Sequence, residues 1–138
     1  DATYVSFAVA APDAVDEGHM AAAQALAGSL IDAALTSDFG KDRYKCTSER
    51  SGKRTKEAYD EFNLRQFIAF APMWPTYQQI FVADGDKVLV TFSRNALAHT
   101  VSPRQFNRRN AVQGIMIACS LPYRLDEAAR AREVATEV

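Results

Sequence analysis

Only two side chains, His19 and His99, titrate near neutral pH without help from their surroundings. General acid–base work needs at least two titratable groups held together. His19 follows Asp16 and Glu17, where a solvated or capping role is expected. His99 lies in a stretch with Arg94, Arg104, Arg108 and Arg109 and no acid, a set that could hold a phosphate. It is therefore the one candidate catalytic residue. Neither a nucleotide-binding glycine-rich loop nor a G-x-S-x-G elbow is present, and no cofactor is implied.

The two cysteines, Cys46 and Cys119, are too few for a structural zinc centre, which wants paired ligands at short spacing. No metal ligand set is expected. An even count, in a chain that starts at Asp1 without an initiator Met, points to an exported, secreted or periplasmic protein with a Cys46–Cys119 disulfide. Such a bridge would contribute roughly 4 kcal/mol by restricting the unfolded chain. The competing expectation is two buried free thiols.

Net charge is only −1, yet the charges are segregated. Between Lys41 and Lys56 seven basic residues, Arg50 and Arg54 among them, face only Asp42 and Glu49. Four more, Arg94, Arg104, Arg108 and Arg109, follow without an acid. This asymmetry marks Arg50, Arg54, Arg104, Arg108 and Arg109 as candidate binding residues for an anionic partner. Tyr44, Tyr59, Phe106 and Tyr123 accompany them, and basic side chains with stacking rings can grip single-stranded RNA. The alternative is two solvated loops.

The elements that would position these groups follow from periodicity. At 138 residues and 48% hydrophobic content the chain fits one domain. No apolar run reaches transmembrane length, since Gln24, Gly28 and Ser29 interrupt Ala21 to Ile31. Thr3 to Val9 alternates as a strand. Pro12 suits the start of a helix, along which Met20, Ala23, Ala27, Leu30, Ile31 and Ala34 recur until Phe39-Gly40 ends it. Arg43 to Thr47 reads as a short strand and Thr55 as the cap of a second helix. Tyr77 to Val82 and Lys87 to Phe92 are β-rich and flank Asp84-Gly85, a hairpin turn pair. Val88, Val90 and Phe92 are expected to point inward. Ala111 to Cys119 reads as a central strand stopped by Pro122, and Asp126 caps a last helix. The expectation is a single α+β domain with a mostly antiparallel sheet and helices packed on one face. The bridge would gather both basic segments at one end of that sheet.

Tyr44-Lys45-Cys46 before a helix, Asp86-Lys87-Val88-Leu89-Val90, and Gln113-Gly114-Ile115-Met116-Ile117 leading to Cys119 together resemble the ribonuclease-like secreted effectors of plant-pathogenic fungi. The likeness covers Tyr44 to Cys119. It implies a small-ribonuclease fold and a bridge from the Tyr-x-Cys to the late cysteine. The family's catalytic histidine and glutamate pattern has no counterpart here, so the resemblance implies a non-catalytic member.

The expected function is thus a secreted, effector-like interaction protein that binds a host protein or RNA through a basic face. Two alternatives stand beside it. One is a small ribonuclease-like hydrolase using His99, loop arginines and an acid such as Glu49. The other is a bacterial periplasmic binding, inhibitor or immunity protein.

Overall fold

The computed structural model describes residues 2–47 and 63–136, and every described regular element is a helix. In chain order these are α1 (Ala2–Asp16), α2 (Met20–Phe39) continued by a 3-10 segment (Gly40–Cys46), α3 (Leu64–Phe70) and α4 (Met73–Tyr77). A 3-10 turn (Val82–Asp84), α5 (Arg94–His99) and α6 (Arg108–Thr136) complete them. The central layer is α2 against α6, with α1 packed on both. The expected α+β sheet is therefore absent among the described residues, and with it the fold that the effector resemblance implies. The helix expected from Thr55 starts outside the described residues.

The expected strands gave way to helix or turn for identifiable reasons, some local and some tertiary. In α1 the side chains that meet the core are Tyr4, Ala8, Ala11 and Val15, at helical spacing, while Val5, Phe7 and Val9 face solvent. The alternation across 3–9 is short, and the alanines that follow favour helix. The first helix ends at Gly18, whose φ of 86° reverses the chain, so Pro12 lies within α1 instead of starting α2. In α2 the buried positions Ala23, Ala27, Leu30 and Ala34 keep the expected period. Gly40, with φ of 53°, ends it as read. Beyond it, Arg43 to Cys46 belongs to the 3-10 segment rather than a strand.

The Asp84-Gly85 turn forms without a hairpin. Gly85 has φ of 87°, and Asp86 accepts from the Phe81 N–H through Oδ2 at 3.0 Å. The arms then pair with side chains instead of with each other. Gln105 Oε1 accepts from Ser93 N–H at 2.8 Å, and its Nε2 donates to the carbonyls of Leu89 and Thr91. Gln113 Oε1 accepts from Phe92 N–H at 3.1 Å. Two amide side chains thus do the work of a neighbouring strand. Of the run expected to point inward, Phe92 is 2% exposed but Val90 is 51% exposed.

The largest departure is α6. Ala111, Gly114, Ala118, Leu121 and Leu125 line its buried side at helical spacing, although the β-branched Ile115 and Ile117 suggested a strand. Asn107 caps it by accepting from Asn110 N–H at 3.0 Å. Pro122 does not stop this 29-residue helix. Proline has no N–H to give the carbonyl four residues earlier, Ala118. That carbonyl is satisfied from outside the helix, because Tyr4 Oη donates to Ala118 O at 3.1 Å. Tyr4→Phe should therefore lower stability by about 1 kcal/mol, measured by chemical denaturation. A variant as stable as the wild type would mean that water satisfies the carbonyl equally well.

Candidate functional site

One cluster of charged and phenolic side chains joins three helices. Asp32 on α2 accepts from Tyr77 Oη at the end of α4. It also accepts from Arg94 Nε at 2.8 Å and lies 2.7 Å from Arg94 Nη2 at the start of α5. Arg43 stands nearby, donating to Thr36 Oγ1 at 2.8 Å. Asp32, Arg43, Tyr77 and Arg94, with Leu35 and Thr47, line a pocket of about 200 Å³. Burial above all, then the hydrogen bond and the charge of Asp32, pushes the Tyr77 phenol far above its ordinary value; Arg94 and Arg43 pull weakly the other way. A phenol held protonated is not a base, and the single carboxylate is already engaged on both oxygens. The arrangement clamps α2 to α4 and α5 rather than building a general acid–base pair.

His99 ends α5 exposed, and no described side chain bonds its ring. His19 is also exposed, 3.9 Å from Glu17. No group of three or more His, Cys, Asp or Glu that could hold a metal ion occurs among the described residues. The expected Cys46–Cys119 disulfide is not found: Cys119 is a free, exposed thiol, on the outer side of a helix rather than inside a sheet. The Cys46 side chain lies outside those described.

Of the five arginines proposed for binding, Arg50 and Arg54 lie outside the described residues, as does Glu49. Arg104, Arg108 and Arg109 are brought together, exposed, on the turn before α6 and its first helical turn. The turn is rigidly built. The Arg104 carbonyl accepts from Asn107 Nδ2 at 2.9 Å and from Asn110 Nδ2 at 3.2 Å. Gln24 Nε2 ties Asn107 O to α2 at 3.0 Å.

These arginines begin a surface that the strand reading of Ala111 to Cys119 concealed. Val112, Met116, Cys119 and Tyr123 follow one another at steps of four, three and four residues, so they form one stripe along α6. All are solvent-facing: Val112 is 40%, Met116 65% and Tyr123 74% exposed. The same spacing reaches back to Arg109 and forward to Asp126 and Arg130, giving the stripe a basic start and an acidic sector before its end. Beside it Met116 and Ile117, with Pro72, Pro75, Thr76 and Phe92, line an apolar groove of about 350 Å³. The outer face of α6 is thus an apolar seam whose spacing is that of helices packed side by side. That spacing was present in the sequence, but it becomes visible only once the segment is read as helix.

No family model, no curated protein and no solved structure matches the chain. No helix among the described residues is long and apolar enough to cross a membrane.

Proposed function

We propose that the chain is an interaction protein whose outer α6 face docks an amphipathic helix of a protein partner. The observation that carries this reading is the exposed row Val112, Met116, Cys119 and Tyr123, on a helix whose opposite side already fills the core. Large apolar side chains aligned at coiled-coil spacing serve a helix–helix contact. The partner helix would present an apolar stripe, acids towards Arg108 and Arg109, and a base towards Asp126.

Protein is favoured over RNA because the middle of the surface is apolar, and because Asp126 and Glu127 on the same helix repel phosphate. The basic end made by Arg104, Arg108 and Arg109 contributes charge complementarity and steering rather than the whole affinity. The clamp at Asp32 offers no competing catalytic reading.

A photo-crosslinking amino acid at position 116, in the cells that make this chain, is expected to give a protein adduct. One at Ser37, exposed on α2, should give none. The adduct should disappear when Tyr123→Glu is added. An RNA adduct at position 116, abolished by Arg104→Glu with Arg108→Glu and Arg109→Glu, would replace this reading with nucleic-acid binding. No adduct at all would overturn it.

A further inference from the structure

We infer that the helix taken by this surface is α6 of a second copy of the chain, laid antiparallel about a two-fold axis level with the midpoint between Ile117 and Ala118. This rests on the reading of α6 as the docking face. The argument is charge and spacing together. The seam residues are Arg109, Val112, Met116, Cys119, Tyr123 and Asp126, and their spacing is the same read from either end. Turning one helix end for end about that midpoint sets Met116 opposite Cys119 of the second copy, and Val112 opposite its Tyr123. It sets Arg109 opposite Asp126, and the flanking Arg108 opposite Glu127.

Every layer is then apolar against apolar or basic against acidic, and each contact occurs twice, as a closed two-fold interface requires. Parallel pairing would instead set Arg109 on Arg109 and Asp126 on Asp126, which like-charge repulsion disfavours. The acids remain available to a second copy. Among the described residues Asp126 is paired along its own helix, with Arg130 at 2.8 Å, and both side chains are exposed. Glu127 accepts from Arg65 and Arg124, leaving lone pairs on a carboxylate that is still part-exposed.

The test uses full-length chains with both native cysteines changed to serine. Val112→Cys in one chain and Tyr123→Cys in another are expected to link through a short thiol-to-thiol reagent when the chains are mixed. Neither should link efficiently alone, because antiparallel pairing carries like positions far apart along the axis. Efficient linking of Val112→Cys to itself would overturn the antiparallel arrangement.

Charge reversal supplies a second measurement, by sedimentation. Arg109→Glu should weaken self-association about tenfold or more, as should Asp126→Arg, and mixing the two variants should restore it, since each new charge then meets its opposite. A wild-type chain that stays monomeric at its highest soluble concentration overturns the proposal. If position 116 then crosslinks to a different protein, helix docking stands and only the second copy falls. If it crosslinks to no protein, both readings fall.

Discussion

Gly114→Ala is expected to destabilise the protein, although alanine is the better helix former. A Cβ at Gly114 would lie 2.7 Å, 2.9 Å and 3.0 Å from three ring carbons of Phe92. That ring is 2% exposed and held among Met73, Ile31 and Leu121, so it has little room to turn aside. Its backbone is fixed as well, because Phe92 N–H donates to Gln113 on the neighbouring turn. Overpacking of this kind costs about 1–3 kcal/mol, against a helix-propensity gain of about 1 kcal/mol. A larger residue such as leucine has no such compensation and should cost more than about 3 kcal/mol. Phe92→Leu, harmful alone through the cavity it leaves, should recover part of the loss when combined with Gly114→Ala. Denaturant melts of the two single variants and the double variant measure the coupling. A Gly114→Ala protein more stable than the wild type would show that the ring can move away freely.

The second large effect lies at the Asp32 clamp. Asp32→Ala removes the acceptor for Tyr77 Oη and both contacts of Arg94, loosening α4 and α5 from α2 together. Hydrogen bonds to a charged acceptor suggest a cost of about 2 kcal/mol, allowing for partial solvent exposure of the pair. The clamp also sets an alkaline limit. In the folded chain Tyr77 holds its proton far above the ordinary phenol value of 10.0, whereas in the unfolded chain it ionises there. A raised folded value means that its contribution is complete below pH 10.0 and is lost as the pH climbs above it. Tyr4 acts in the same direction, raised by burial first and by the nearby Cys119 second. Stability should therefore fall as the pH rises past that point, with phenolate absorbance appearing together with unfolding. Tyr77→Phe should be less stable than the wild type at neutral pH and lose stability less steeply at high pH. An unchanged alkaline slope in Tyr77→Phe would locate the sensitivity elsewhere.

Where sequence reading succeeded, the evidence was local. The α2 face from Ala23 to Leu35 and its end at Gly40 were each written in consecutive residues. The core-facing side of α6 was equally present as a helical period, but the β-branched Ile115 and Ile117 carry strand preference and Pro122 follows closely. Tertiary contacts decided against propensity there, and they come from far along the chain. Tyr4 supplies the bond that lets the helix pass Pro122, and Gln105 and Gln113 supply hydrogen bonds to the backbone of 89–93 in the absence of a neighbouring strand. For the site, the clustering of Arg104, Arg108 and Arg109 was legible as charge. Their apolar continuation was not, because it exists only in a helical projection. The clamp partners Asp32, Tyr77 and Arg94 are brought together only by the packing of α2, α4 and α5.

The bond from Tyr4 to the Ala118 carbonyl makes α1 a splint for α6. A helix carrying a proline at its midpoint is weakest there, and in this chain the weak turn is shored up by a segment from the opposite end of the sequence. Detachment of α1 would bare that turn on the core-facing side of α6, so α1 and α6 open and close as one cooperative unit. A partner seated along α6 would then slow the fraying of α1, a segment it never touches, simply by holding straight the helix on which α1 leans.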